Sequence, residues 1–365
     1  MSEQGLPELP VHSTPPLNSI CILRLSAIGD VCHAVAAVQA IQQYYPQARI
    51  SWIIGKVEAM LLQDLPGVEL IVFDKKLGFG AYADLRRKLK GQQFDVLLHM
   101  QVALRANLAS LFIPARRKIG FDWSRAKELH ALFMRERIAP QQQPHVLDGF
   151  AGFARHLGVP FLQNPQDKPQ WQMPITAEHR DWAKAQLCST RTRHLVICPA
   201  ASKAERNWLP VRYAALADYA ATQGFSVYLC GGPTAMEQQL AQEIKAQAQT
   251  DIVDLVGKTN LKQLLALLEQ ASVVLAPDTG PAHMAVTVGT PVIGLYGHSN
   301  PGRTGPYLYR PYVVEAYFDE LKAQTGKTAA ELPWGLRVKG GHIMAKISVE
   351  AVQQMLDKVI RQEGL

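Results

Sequence analysis

The feature that most constrains the fold is an alternation of short β-branched runs with longer amphipathic stretches, and it occurs twice along the chain. In the first half, strand-like runs at residues 19–25 and 50–54 are followed by helix-like stretches at residues 31–45 and 57–63. This alternation is typical of a parallel, doubly wound sheet with helices on both faces. Because the crossovers are right-handed, the carboxyl ends of the strands share one edge, and ligands bind there.

The alternation is interrupted once, by a polar stretch at residues 160–192 that contains four prolines. Such a stretch indicates a linker. A second alternating series begins with a strand at residues 194–198, and the chain closes with an amphipathic stretch at residues 348–361. For a chain of 365 residues, two domains are expected.

The sequence therefore predicts an α/β protein of two Rossmann-like domains facing a central cleft. We expect a disordered tail over residues 1–17 and a first domain over residues 18–175. A second domain is expected over residues 176–345, before a C-terminal helix over residues 346–365.

Composition restricts the class and the compartment. Hydrophobic residues make up 48% and charged residues 19%, which excludes a disordered chain. The five cysteines form no CxxC pair, which fits a reducing compartment. The first residues have no signal-peptide pattern, and no apolar run reaches the ~18 residues of a membrane span. We expect a cytoplasmic protein that meets a membrane only at its surface.

The net charge of +7 favours an anionic partner, which can be nucleic acid, a membrane surface or a phosphorylated substrate. Basic residues are dense in the first half, although a solvated surface is the simpler interpretation of any one of them. The usual nucleic-acid-binding modules are absent and only 8% of residues are aromatic, so we expect no nucleic-acid partner.

Three familiar signals are incomplete. The GxGxxA match at residues 78–83 follows the third strand rather than the first, so a dinucleotide site is not expected there. The sequence Gly257-Lys258-Thr259 lacks the earlier glycine of a P-loop. The eleven histidines form no zinc motif, and no Asp-x-Asp pair occurs. We therefore expect no metal and no cofactor, and a bound diphosphate would be neutralised by cationic side chains and helix N-termini.

Two turns from strand to helix carry the first candidate residues. At residues 24–31, Gly29 permits a tight turn and Asp30 begins the next helix. The carboxylate of Asp30 fits an N-cap and a general base equally well. At residues 276–283, Thr279 and Gly280 offer free backbone N–H groups to a phosphate. The nearby His283 is more than a simple helix cap requires.

Two weaker candidates lie in the second half. After its first strand, Lys203 and Arg206 are placed to clamp a diphosphate, although a solvated loop is the alternative and Trp208 can be a core residue. After the next strand, Glu237 follows a Gly-Gly-Pro turn, where a carboxylate can bind ribose hydroxyls.

Three segments occur together in one order: RLSAIGDV, SKAERNW and APDTGPAHMAVTVGTPVIGLYG. In combination they resemble the ADP-heptose:lipopolysaccharide heptosyltransferase family, over about residues 19–310. The opening stretch is most similar to the heptosyltransferase I branch, which acts on Kdo–lipid A. The resemblance implies a GT-B fold whose last helix crosses back to the first domain. It also implies inverting, metal-independent transfer of heptose from ADP-heptose, bound by the second domain, to a Kdo acceptor, bound by the first.

The resemblance also implies roles for single residues. Asp30 resembles the catalytic base, and Arg206 stands where the family usually has lysine and should contact the donor phosphates. The remaining donor-binding candidates are Ser202, Lys203, Glu237, Gly257, Lys258, Asp278, Thr279, Gly280 and His283. Candidate contacts to acceptor phosphates, or to the cytoplasmic face of the inner membrane, are Arg116, Arg117, Lys118 and Arg125. The alternatives are a heptosyltransferase II or III activity and a non-catalytic nucleotide-sugar-binding protein.

Overall fold

A computed structural model describes residues 17–126, 130–187 and 191–365. The tail expected over residues 1–17 lies, apart from Leu17, outside the described residues. Within the described residues, no helix combines the length and the hydropathy that crossing a bilayer requires.

The first domain is built on a sheet of six parallel strands. These are β1 (Ser19–Leu23), β2 (Arg49–Gly55), β3 (Val68–Phe73), β4 (Phe94–His99), β5 (Ala115–Gly120) and β6 (Glu136–Arg137). Their spatial order is β3–β2–β1–β4–β5–β6. All five residues of β1 are buried, as expected for a central strand that is covered on both faces. The helices are α1 (Ile28–Tyr44), α2 (Lys56–Leu62), α3 (Gly80–Lys88), α4 (Leu104–Leu111), α5 (His130–Phe133) and α6 (Val146–His156).

The second domain repeats this topology. Its strands are β7 (Arg193–Ile197), β8 (Phe225–Leu229), β9 (Ile252–Asp254), β10 (Val273–Pro277), β11 (Val292–Tyr296) and β12 (Val313–Glu315). They pair in parallel in the order β12–β11–β10–β7–β8–β9. In each sheet the order reverses beside the first strand, and such a switch point opens a crevice for ligands.

Eight helices accompany the second sheet in the described part of the chain. They are α7 (Ala177–Gln186), α8 (Pro210–Thr222), α9 (Ala235–Gln247), α10 (Leu261–Gln270), α11 (Gly280–Thr287), α12 (Pro301–Thr304), α13 (Tyr317–Thr325) and α14 (Val349–Glu363). Short 3₁₀ helices lie at Lys75–Leu77, Ala204–Arg206, Tyr307–Tyr312, Ala329–Glu331 and Ile343–Lys346. The predicted α/β class with two Rossmann-like sheets is confirmed.

The two domains share a continuous apolar core. One buried cluster contains side chains from α1 of the first domain together with side chains from α10 and α11 of the second. The largest helix contact between the domains joins α1 to α11, and a smaller one joins α2 to α10. The first turns of α1 and α11 are therefore held close to each other.

The C-terminal helix does not pack where the sequence analysis placed it. Its apolar stripe, Val352, Leu356 and Val359, is buried in the core of the second domain, against α8 and beside β11 and β12. Tyr219 of α8 donates a hydrogen bond of 2.7 Å to Asp357. The prediction that residues 346–365 pack on the first domain is therefore wrong, because their apolar face covers the second sheet instead.

Contacts back to the first domain come from an earlier, irregular segment. The hydroxyl of Tyr307 donates to Asp148 at 2.7 Å, and the indole N–H of Trp334 donates to the carbonyl of Pro144 at 2.9 Å. Part of the long segment after β11 thus fastens the second domain to the start of α6.

Candidate active site

The two strand-to-helix turns singled out in the sequence meet where α1 contacts α11. A Cβ atom on Gly29 would lie 2.4 Å from Cδ2 of His283. A Cβ atom on Gly280 would lie 3.2 Å from Cγ2 of Ile28. Glycine at both positions lets the two first turns, one from each domain, approach more closely than a larger residue would allow.

Asp30 lies in the first turn of α1, which begins at Ile28, so it is not the N-cap residue. Its Oδ2 forms an ion pair with the guanidinium of Arg24, and the backbone N–H of Ala27 lies 3.4 Å from the same oxygen. Arg24 also donates to the carbonyl of Met100 at 2.7 Å. Burial lowers the pKa of Arg24, while the charge of Asp30 opposes that shift. The carboxylate is thus oriented by a partly buried cation.

Asp278, just before α11, carries a partly buried carboxylate with several partners. Ser299 donates to its Oδ2 at 2.5 Å, and Nε2 of His283 lies 3.6 Å from its Oδ1. Burial alone would raise the pKa of Asp278, but the interaction with His283 holds it below the usual range. Asp278 therefore positions His283 and the loop after β11.

A row of histidines crosses between the domains. Nε2 of His33 lies 3.1 Å from Nδ1 of His283, and the rings of His33 and His145 are 5.0 Å apart. Since Nδ1 of His145 accepts from the N–H of Leu147 at 3.1 Å, its Nε2 carries the proton and donates to the carbonyl of Gly305 at 2.9 Å. Burial lowers the pKa of His145 to about 3 and that of His33 well below its ordinary value, so both rings are neutral.

The N-terminus of α11 is open to an anion. Thr279 is its N-cap residue, but its side chain donates to the carbonyl of Pro277 at 3.2 Å instead of capping the helix. No acidic residue lies in the first turn of α11. Free N–H groups and a helix dipole at such an end attract phosphate.

The loop after β7 presents the predicted cations. Nη2 of Arg206 donates to Ser202 at 2.7 Å, and Lys203 is exposed. Nε of Arg206 is buried and forms no hydrogen bond with any residue that the structure describes. Trp208 is 1% exposed and its indole N–H donates to a backbone carbonyl, so it is a core residue.

The loops after β8 and β9 lie side by side, because the N–H of Gly257 donates to the carbonyl of Gly231 at 3.0 Å. Glu237 is the third residue of α9, and its Oε2 accepts from the N-cap hydroxyl of its own helix at 2.9 Å. Its carboxylate also lies beside Gly232, where a Cβ atom would be 2.7 Å from it. Lys258 folds back onto its own strand, where it donates to a carbonyl at 2.7 Å.

Three predicted acceptor contacts lie within β5, short of its carboxyl end, and already have partners. Arg116 pairs with Asp95 at 3.4 Å, and Arg117 makes two hydrogen bonds to Glu136, at 2.9 and 2.6 Å. Lys118 donates to a carbonyl of α4 at 2.5 Å. The structure does not bring these three side chains to the contact between α1 and α11.

Arg125 lies closer to the second domain. Its Nε donates to the buried Asp122 at 2.6 Å, and its pKa is lowered first by burial and further by the charge of Arg303 from the second domain. Of the four predicted acceptor contacts, Arg125 is the one whose pKa is shifted by a charge from the second domain.

Sequence reasoning missed several residues of this site. Arg24 directly follows β1, in the segment RLSAIGDV. A cation at the end of a buried strand, close to an acidic helix start, could have indicated the ion pair with Asp30. Ser299 follows β11 just as Asp278 follows β10. Because ligands bind at the carboxyl ends of parallel strands, this position could have identified Ser299 as a site residue. His33 and His145 belong to no motif, and no local pattern indicated that they would meet.

Comparison with known proteins agrees with this arrangement. The family model for glycosyltransferase family 9 (heptosyltransferase) matches residues 82–334. The lipopolysaccharide core heptosyltransferase OpsX of Haemophilus influenzae is 44% identical over 351 residues, which cover 96% of this chain and 99% of that protein. A glycosyl transferase family 9 structure from Veillonella parvula has a TM-score of 0.77 at 21% identity, covering 94% of this chain and 97% of that one. The Escherichia coli heptosyltransferase WaaC with ADP has a TM-score of 0.71 at 19% identity, covering 93% and 99%.

These similarities confirm the resemblance drawn from the three sequence motifs, and the two structures confirm the GT-B arrangement of the domains. The chain therefore belongs to glycosyltransferase family 9, the heptosyltransferases, and it is a glycosyltransferase.

Proposed function

We propose that this enzyme transfers L-glycero-D-manno-heptose from ADP-heptose to a Kdo residue of Kdo–lipid A, in the lipopolysaccharide inner core. The observation that carries the proposal is the contact between the first turns of α1 and α11, which brings the turn that carries Asp30 to an open helix N-terminus. Similarity to OpsX, which is described as a lipopolysaccharide core heptosyltransferase, supports the pathway. The fold shared with an E. coli heptosyltransferase that holds ADP-2-deoxy-2-fluoro heptose supports the donor.

The donor lies along the carboxyl edge of the second sheet. Its diphosphate meets the N-terminus of α11, with Lys203 and Arg206 on the opposite side. The carboxylate of Glu237 binds the ribose hydroxyls, and the adenine lies against the loop of Gly257. His283, oriented by Asp278 and His33, contacts the donor where α11 begins. These cations and N–H groups stabilise the leaving ADP, so the proposed reaction needs no metal.

Asp30 acts as the general base. Its Oδ2 is engaged by Arg24, whereas its Oδ1 forms no hydrogen bond with any described residue and is open to a hydroxyl. Oδ1 removes the proton from a Kdo hydroxyl as that oxygen attacks the anomeric carbon of heptose. The C–O bond to ADP breaks on the opposite face, so the anomeric configuration is inverted.

The acceptor approaches from the first domain, where Arg125 contacts an acceptor phosphate. Because the lipid part of Kdo–lipid A lies in a bilayer, the enzyme works on the cytoplasmic face of the inner membrane. The second candidate is transfer to a heptose acceptor. A relative named lipooligosaccharide heptosyltransferase 2 is 26% identical over 83% of this chain, which keeps a second type of heptosyltransferase activity open.

The test combines donor binding with transfer. Calorimetry with ADP-heptose, ADP and UDP in EDTA should show micromolar binding of ADP-heptose and little binding of UDP. Transfer to Kdo–lipid A should exceed transfer to a heptosylated acceptor, and NMR of the product should show an inverted anomeric centre. Transfer to the heptosylated acceptor alone would replace the proposal with the second candidate.

The base is tested by Asp30→Asn, with Asp167→Asn in an exposed turn of the linker as the matched control. Asp30→Asn should bind ADP-heptose normally and transfer roughly 100-fold more slowly or worse, since a general base typically contributes at least that factor. Near-normal transfer by Asp30→Asn would reject the assignment.

A further inference from the structure

Four large apolar side chains stand exposed after consecutive strands of the first sheet. Phe79 is 89% exposed, Leu77 53%, Val57 49% and Leu104 49%. Leu77 and Phe79 follow β3, Val57 follows β2, and Leu104 follows β4. A contiguous exposed apolar surface, unlike a scattered exposed leucine, indicates a contact with something else.

Contacts between the loops show that these side chains belong to one surface. The ring of Tyr82 lies 6.5 Å from that of Phe79, and its hydroxyl donates to the carbonyl of Arg105 at 3.4 Å. The start of α3 therefore neighbours the start of α4. On the other side, Lys56 and Asp74 approach within 3.7 Å, which joins the end of β2 to the end of β3.

The same loops carry exposed cations. Lys56, Lys75, Lys76 and Arg105 are all exposed. Among these, only Lys56 pairs with a described carboxylate, the partly exposed Asp74. Cations interleaved with apolar side chains suit an anionic bilayer, because the apolar groups enter the acyl boundary while the cations remain at the headgroups.

We propose that the apolar rim, defined as Val57, Leu77, Phe79 and Leu104 together with Lys56, Lys75, Lys76 and Arg105, docks the enzyme on an anionic phospholipid bilayer. The cations complement anionic headgroups, and the ring of Phe79, which is 89% exposed, is accessible for insertion into the interface. The rim follows the carboxyl ends of β2, β3 and β4, the edge at which Asp30 follows β1. Docking thus turns the acceptor side of the cleft toward the bilayer, a consequence that rests on the proposed function.

The docking function belongs to this rim rather than to the basic residues of β5. Arg117 and Lys118 have intramolecular partners, and the side chains exposed beside the lysines of the rim are apolar.

Vesicle co-sedimentation tests the proposal with the full-length protein. The wild type should bind vesicles of phosphatidylethanolamine and phosphatidylglycerol, should bind phosphatidylcholine vesicles at least tenfold less, and should be released by salt. The double variants Leu77→Ser/Phe79→Ser and Lys75→Glu/Lys76→Glu should each lose at least tenfold in binding. Leu111→Ser, at the far end of α4 and 60% exposed in the wild type, and Lys322→Glu of α13 are the matched controls and should bind like the wild type.

Calorimetry with ADP-heptose separates this proposal from the proposed function. Normal donor binding with no vesicle binding by the wild type overturns the rim and leaves the proposed function standing. Vesicle binding with no donor binding overturns the proposed function and leaves the docking role of the rim standing. Equal vesicle binding by the rim variants and the controls also overturns the docking role of the rim. The same holds if the Leu77→Ser/Phe79→Ser variant abolishes a self-association of the wild type while its vesicle binding persists.

Discussion

Replacing Gly29 with alanine probes the contact on which the site depends. The new Cβ atom would lie 2.4 Å from Cδ2 of His283, whereas ordinary contacts begin near 3.4 Å, so the ring would have to move by about 1 Å. His283 is 6% exposed and stands between Asp278 and His33. The ring cannot turn into solvent, and α11 must retreat from α1.

Two opposing free energies decide whether Gly29→Ala stabilises or destabilises the protein. Overpacking of this kind costs roughly 1–3 kcal/mol. Alanine is a better helix former than glycine by roughly 0.5–1 kcal/mol in a helix interior, and by less in the first turn, where Gly29 lies. The free energy of unfolding should therefore fall by about 0.5–2 kcal/mol. Because a misplacement of about 1 Å can cost roughly 100-fold in rate, transfer should fall much further than stability suggests.

Urea unfolding and initial rates of ADP release measure the two effects. Gly80→Ala in α3 is the matched control, since its new Cβ atom would have nothing nearer than Cβ of Leu77 at 3.9 Å. In the double variant Gly29→Ala/His283→Ala the steric conflict disappears. Its loss of stability should therefore be smaller than the sum of the two single losses by at least about 0.5 kcal/mol. Wild-type stability and wild-type transfer in Gly29→Ala would refute the reasoning.

Three further predictions follow from single contacts. Burial lowers the pKa of His145 from 6.5 to about 3, so the contribution of this residue to stability is complete above pH 6.5 and is lost as the pH falls toward 3. In urea unfolding, the His145→Asn variant should therefore lose less stability than the wild type between pH 7 and pH 5. Arg24→Met removes the cation that orients Asp30 and should slow transfer at least about tenfold while calorimetric ADP binding, on the other domain, is unchanged. Lys262 donates to the carbonyl of Gln63, and burial lowers its pKa from 10.5 to about 8. The wild type should therefore gain stability in urea unfolding as the pH rises from 8 toward 10.5, whereas Lys262→Met should show no such gain.

The sequence was sufficient for the architecture because the central strands are covered on both faces. Continuous apolar runs such as β1 and β10, both completely buried, mark parallel strands, and the turns after them carry the glycines that close helix contacts need. Both turns predicted to bind the substrates do meet.

The sequence is less informative where polar residues lie inside regular structure. The strand β5 reads Ala-Arg-Arg-Lys-Ile-Gly, which resembles a basic loop, and its three cations are among the predicted acceptor contacts. It tolerates these residues because β6, its outer neighbour, covers only two of its positions and supplies Glu136 to Arg117. That pair joins residues on different strands, and no periodicity of either strand shows it.

The histidine row shows a second limit of the same kind. His33 and His283 are separated by 250 positions and come together only after both domains have folded and docked. The amphipathic pattern of α14 likewise fixed its buried face but not its partner, since either domain could have accepted the stripe. Local patterns define elements, whereas long-range partners depend on the docking of those elements.

The convergence of α1 and α11 also explains why the site is asymmetric. Two helix N-termini, each with partial positive charge, meet at one place, and their proximity is unfavourable without anions. The carboxylate of Asp30 supplies the anion for α1, while the first turn of α11 contains no acidic residue. The carboxylate of Asp278, just before α11, is already engaged by Ser299 and His283. In the proposed complex, the donor diphosphate at α11 would supply the missing negative charge, so donor binding and the docking of the two domains would stabilise each other.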